Sequence, residues 1–280
     1  MLTSYLLTDD YMKPYPPIIK KILQITFLLF SIQAFACDCD PLNITEKYTQ
    51  SDFVANVTIL KIYPNQENEQ GYRADIKINE LFKGKPLKSI YVYGRSDNGI
   101  GSSCDIHIPA NTKLIAYARK NDSGKFGIGM CSGIMYLDYS AIYKKKTSKN
   151  KKELKRQIRE LEILKIFKSK NIKFTDKINY REKAKLHQEL KKFNGIELEK
   201  NFGIYEIIFE SNLSIRNVIE ISGFKNSIDQ ELIEIIKKTE WTSFDKGVKD
   251  TVPENSKLLI GIYYYPKEKG NPSFLSQYYL

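Results

Sequence analysis

The chain has 280 residues, of which 42% are hydrophobic and 12% aromatic. That composition excludes a disordered or fibrous protein. The formal net charge of +11 and a pI of about 9.2 suit an anionic surface as neighbour.

The chain opens on an export signal. Met12-Lys13, Lys20 and Lys21 form a cationic stretch, and Ile22 to Ile32 is nearly unbroken apolar sequence. Spanning a bilayer takes roughly 20 apolar residues, so this run has the length of a signal peptide instead. Ala34 and Ala36 make the small-x-small pattern before a cleavage site, which predicts a cut after Ala36. Residues 1–11 fit no part of this pattern, and Met12 is the expected true start. Residues 1–36 are therefore read as the signal peptide, leaving about 240 residues, enough for two modest domains. No further apolar run of spanning length follows, so the exported chain is expected to be soluble or peripherally held.

The exported chain begins Cys37-Asp38-Cys39, and the other cysteines are Cys104 and Cys131. An even set confined to one segment behind an export signal reads as two disulfides in an oxidising compartment. Four cysteines allow three pairings. Cys37 is also the residue a lipoprotein pathway would acylate, which would leave three cysteines. The location is periplasmic, outer-membrane-associated or extracellular, which argues against nucleic acid as a partner.

Residues 37–142 read as all-β. Phe53, Ala55, Val57 and Ile59 alternate with Val54, Asn56 and Thr58, and Tyr72, Ala74, Ile76 and Ile78 alternate with polar residues. This period of two marks half-buried strands. Further strands are expected at 90–93, 113–118 and 125–129, separated by glycine, proline and asparagine turns. Short strands without helices between them favour a small barrel or sandwich.

Residues 143–198 read as a basic helical connector. Eight cations run from Lys144 to Arg156, and Leu154, Ile158, Leu161 and Leu164 have helical spacing. Such a run is usually a solvated helix face, and peripheral contact with an anionic membrane is the sharper reading. A second helix is expected from Tyr180 to Phe193, opened by Asn179 with Glu182. Residues 199–266 read as a β-β-α-β domain: strands at 203–211 and 218–222, a helix capped by Ser227, Trp241, and a closing strand at 258–265. Its core residues Ile207, Phe209, Val218, Ile235, Trp241 and Ile262 need no cysteine, so this domain is expected to fold independently. Residues 267–280 are a C-terminal tail. The fold class is thus α+β in two domains.

The first domain resembles the netrin-like module, and within it the tissue inhibitors of metalloproteinases. The resemblance rests on Cys37-x-Cys39, Glu80-Leu81-Phe82-Lys83-Gly84, Ser103-Cys104-Asp105, Leu114-Ile115-Ala116-Tyr117 and Cys131-Ser132. It implies a five-stranded OB barrel and the pairs Cys37–Cys104 and Cys39–Cys131. In those inhibitors the amine and carbonyl of the first cysteine chelate the target's catalytic zinc, which has an open coordination position. The next residue enters the pocket beside the metal. Carried over, Cys37 is the candidate chelating residue and Asp38 the pocket residue, where the inhibitors have a small hydroxyl or apolar residue. The implied partner is a zinc endopeptidase.

The last domain resembles the C-terminal domain of the TonB family. The residues are Gly203-x-Tyr205-x-Ile207-x-Phe209, Ser214-Ile215, Leu232-x-x-Ile235-Ile236, Trp241-x-x-Phe244-x-x-Gly247 and Leu259-x-Gly261-Ile262. A Pro-rich spacer is missing before it, so the resemblance implies a docking module on that fold rather than energy transduction.

Catalytic patterns are lacking. The two histidines, His107 and His187, fall in different segments, and no HExxH, G-x-S-x-G or phosphate loop occurs. Cys104 with His107 would make a thiol–imidazole pair only if Cys104 were unbridged. The reading is a non-enzymatic binding protein without a cofactor. It is either an inhibitor of metalloendopeptidases or an envelope-associated interaction module.

Overall fold

The computed structural model describes residues 37–99, 101–137, 150–172, 180–183, 185–243 and 251–280. The export signal and its cleavage site lie outside the described residues.

Helix α1 (Ile44–Gln50) starts at a capping box that the strand-based reading overlooked. The Asn43 side chain accepts from the Glu46 N–H at 2.8 Å, and the Asn43 N–H donates to Glu46 Oε2 at 3.0 Å. Two helix-end donors are satisfied reciprocally.

Six strands follow: β1 (Phe53–Ile62), β2 (Gly71–Lys83), β3 (Ser89–Tyr93), β4 (Lys113–Lys120), β5 (Phe126–Ile128) and β6 (Met135–Tyr136). The first five close into an OB-like barrel. β1 pairs with β2, β2 with β3, β3 with β5, β5 with β4, and β4 returns to β1. All pairs are antiparallel except β3–β5, where Tyr91 faces Gly127 and Val92 faces Ile128. The interior is filled by Phe53, Val57, Ile59, Tyr72, Ile90, Val92, Ile108, Leu114 and Ile128. Ala55, Ala74, Ala116 and Ala118 belong to the same core, and the Tyr72 hydroxyl accepts the Ile108 N–H at 2.8 Å. Burial pushes the Tyr72 hydroxyl up to about 12. β1 breaks its own alternation at Phe53-Val54-Ala55, all buried. Val54 points out of the barrel and is covered from outside.

The cover is helix α2 (Asn150–Lys170). Its buried residues Ile163, Leu164 and Phe167 meet Val54, Phe82, Ile115 and Tyr117 of the barrel and Phe202, Ile204, Leu259 and Tyr263 of a second sheet. One apolar cluster therefore joins barrel, helix and second sheet. The stripe expected from sequence packs only in part: Leu164 is buried and Leu161 is half-buried against this cluster. Leu154 and Ile158 are exposed, while Gln157 and Glu160 are buried.

The second sheet contains β8 (Phe202–Phe209), β9 (Ile215–Ser222), β11 (Lys257–Tyr265) and β12 (Phe274–Tyr279), in the order β12-β11-β8-β9, antiparallel throughout. Strand β12 falls in the segment read as a tail. A turn containing Lys269 and Gly270, both at positive φ, folds the chain back onto β11. Against the other face of the sheet packs helix α4 (Ile228–Lys237), through Leu232, Ile235 and Ile236. Ser227 makes no capping bond here; Asn226 Oδ1 accepts the Ile228 N–H at 3.2 Å.

The helix expected from Tyr180 to Phe193 is shorter. Tyr180–Glu182 is strand β7, paired with β10 (Trp241–Ser243), and helix α3 spans Lys185–Leu190, followed by a 3-10 turn at Lys191–Phe193. Its apolar stripe Leu186, Leu190 and Phe193 is buried. The first residues differ because their backbone pairs with β10, and the Lys183 N–H donates to the Glu240 carbonyl at 2.8 Å. No helix among the described residues is long and apolar enough to cross a membrane.

Candidate functional site

Cys39 is bridged to Cys131, with Cα atoms 5.3 Å apart and a sequence separation of 92. It is one of the two pairs the resemblance implies. Cys37 and Cys104 are disulfide-bonded as well, and no described cysteine is free. Cys37 is half-buried and Asp38 is exposed. Cys104 lies in an exposed turn where the Ser102 N–H and hydroxyl both donate to the Asp105 carboxylate at 3.0 Å. His107 Nδ1 sits 3.0 Å from the Arg95 carbonyl oxygen. A bridged Cys104 has no thiol to pair with that ring. His187 is exposed on α3. Among the described residues no group of three or more His, Cys, Asp or Glu could hold a metal ion.

The Cys39–Cys131 bridge forms one wall of a cleft of about 280 Å³. Asp40, Asn43, Met130, Arg156 and Tyr278 line it, with Lys47 and Glu160. Four parts of the chain converge here: the segment leading into α1, the turn after β5, α2 and β12. Gly133, at φ +69°, makes a close approach; a Cβ there would meet Lys47 Cδ at 2.4 Å.

Two of the lining residues form a buried ion pair. Lys47 Nζ contacts Glu160 Oε1, and both side chains are more than nine-tenths buried. The Tyr117 hydroxyl donates to the same oxygen at 2.6 Å, and the Lys47 ammonium lies 4.6 Å from the centre of the Tyr117 ring. Burial lowers the Lys47 pKa although the Glu160 charge opposes the shift. Burial, and then the adjacent Glu160 charge, push the Tyr117 hydroxyl well above its ordinary value. Nearby, Gln157 Nε2 donates to the Tyr136 carbonyl at 2.7 Å and fixes α2 against β6.

No protein-family model matches the sequence, and no curated protein matches it. The fold and the disulfides therefore carry what can be said of function.

Sequence reasoning singled out the four cysteines and Asp38. It missed Lys47, Tyr117 and Glu160. Lys47 and Glu160 stand 113 residues apart, on elements with no shared period, and no motif joins them.

Proposed function

We propose that this chain is an exported, non-enzymatic protein-binding module that presents Cys37-Asp38-Cys39 to a partner, with a zinc endopeptidase as the candidate target. The observation that carries the reading is the Cys39–Cys131 bridge, which ties the start of the exported chain to an OB-like barrel. A segment held this way loses little further freedom on binding, and such preorganisation favours affinity. Exposure of Asp38 supports its role as the residue offered to a partner. In the mechanism, the Cys37 amine and carbonyl would approach the open position of the target's zinc. The reading needs cleavage after Ala36, since only an N-terminal Cys37 has a free amine. Its thiol is already committed to a disulfide, which disfavours acylation at the same residue.

The test is a panel of zinc endopeptidases challenged with three proteins. One begins at Cys37, one carries an added alanine before Cys37, and one carries Asp38→Thr. The alanine form is expected to lose inhibition because its amine moves out of reach. Asp38→Thr is expected to inhibit more strongly, by about tenfold or more, because a carboxylate no longer loses its hydration beside the target's acidic cleft. An extended form that inhibits as well as the others would sink the zinc-chelating reading.

A second reading is an envelope interaction module without inhibitory activity. The outer edge of β9 favours it: among the described residues β9 pairs only with β8. An unpaired edge can accept an added strand from a partner. Failure of every variant on the protease panel, with capture of an extended peptide at β9, is the outcome expected there.

A further inference from the structure

The side of α2 turned away from the core carries an apolar pair that the fold does not use. Leu154 is 53% exposed and Ile158 is 46% exposed. Spaced i,i+4, they lie one above the other on one face. Half-buried Leu161 continues the row, and Lys155, Lys165 and Lys168 are exposed around it. Glu162 is the exposed acid on this side, and Lys165 lies 3.7 Å from Glu80. The opposite face, with Gln157, Glu160, Ile163, Leu164 and Phe167, is buried. The other large exposed hydrophobics, among them Leu60, Met130, Ile219 and Phe274, sit on separate elements.

We propose that this face of α2 is a docking surface for an anionic lipid membrane. Leu154 and Ile158 would enter the boundary between headgroups and acyl chains. The lysines would lie along that boundary with their ammonium groups at the lipid phosphates, as long cationic side chains do at interfaces. Two partly exposed aliphatic side chains are too little to hold a protein on a neutral bilayer. Surface lysines add attraction only where the lipid is anionic. The two contributions are therefore needed together, and this helix has them on one side. Charge also separates a lipid from a protein partner, because protein interfaces are depleted in lysine. The net charge of +11 adds long-range attraction of the same sign.

The experiment is co-sedimentation of the full chain with phosphatidylcholine vesicles, with and without phosphatidylglycerol. Parent and variants share one N-terminus, so any contribution from the apolar run at 22–32 cancels between them. Two predictions concern Leu154→Asn with Ile158→Asn: binding to the anionic vesicles falls by roughly tenfold or more, and the unfolding midpoint stays at the parent value. Lys155→Gln with Lys168→Gln should weaken binding to anionic vesicles and leave binding to neutral ones unchanged. Added salt should mimic that change by screening. Equal binding of parent and Asn variant to anionic vesicles overturns the proposal. So does a parent that binds no vesicle while the Asn variant alters its sedimentation mass, which would make this face a contact between protein chains.

Discussion

At the scale of single residues, the decisive pair is Lys47 with Glu160. Each side chain is buried, so each depends on the other to offset the loss of hydration. Among the described residues, Lys47→Met leaves the Glu160 carboxylate with the Tyr117 hydroxyl as its hydrogen-bond partner, and Glu160→Gln removes the counter-charge of a buried ammonium. Breaking a buried pair from one side typically costs about 3–5 kcal/mol. Replacing both partners, as in Lys47→Met with Glu160→Leu, removes two buried charges together. The double variant is expected to regain most of the loss, ending within about 2 kcal/mol of the parent, because Tyr117 still loses its acceptor. Urea unfolding of the parent, both single variants and the double variant measures this. Single variants that each cost under about 1 kcal/mol would show the pair to be hydrated and loosely held. Nothing local in the sequence announces this pair. Lys47 sits in a seven-residue helix among polar residues, and Glu160 lies in a charged stretch of α2 that reads as solvent-facing. The cysteines, by contrast, are legible because their even number and their clustering between positions 37 and 131 restrict what they can do.

At the scale of elements, legibility follows the strength of the periodic pattern and the number of faces an element buries. β1 and β2 stand out because every second residue, Phe53, Ala55, Val57 and Ile59 and then Tyr72, Ala74 and Ile76, faces the barrel core, although Val54 between two of them is buried on the outer side. α2 is legible as a helix but not in orientation. It packs between two partners through Gln157, Glu160, Ile163, Leu164 and Phe167, so polar residues lie inside and two aliphatic residues outside. β12 is hard to see in the sequence because it is six residues long and follows Gly270 and Pro272, residues that favour turns. Its importance can be tested. Leu275 and Leu280 are buried, six residue pairs join it to β11, and the Thr45 hydroxyl donates to the Leu280 carbonyl at 2.7 Å. Leu275→Ala is expected to destabilise by about 2–4 kcal/mol, the usual cost of emptying a core leucine site. Ending the chain at Pro266 would uncover the edge of β11 and remove both leucines. That shortened protein is expected to lose cooperative thermal unfolding, followed by circular dichroism. A sharp transition near the parent midpoint would mean that β12 is dispensable.

At the scale of the whole molecule, the shared apolar cluster controls how the parts depend on each other. The second sheet has its own core against α4, containing Ile207, Phe209, Ile235, Ile236 and Trp241. Its other face, with Phe202, Ile204, Leu259 and Tyr263, is buried only in company with α2 and the barrel. Uncovering four such side chains forfeits about 1.5–3 kcal/mol each, a sum comparable with the whole stability of a typical domain. The independent folding expected of the C-terminal segment from its own core residues therefore runs against this contact. Trp241, the single tryptophan, is buried in the C-terminal core and reports on that part alone. The Cys39–Cys131 bridge constrains only the N-terminal part. In the chain-entropy account its 92-residue separation is worth about 4–5 kcal/mol at most. If the cluster couples the parts, reduction must lower the stability seen by Trp241 fluorescence as much as that seen by far-ultraviolet circular dichroism. Coincident denaturant transitions, oxidised and reduced, are the expected result. A Trp241 transition that ignores reductant while the circular dichroism signal shifts would separate the two halves thermodynamically, and the cluster would then be a contact surface between independently stable parts.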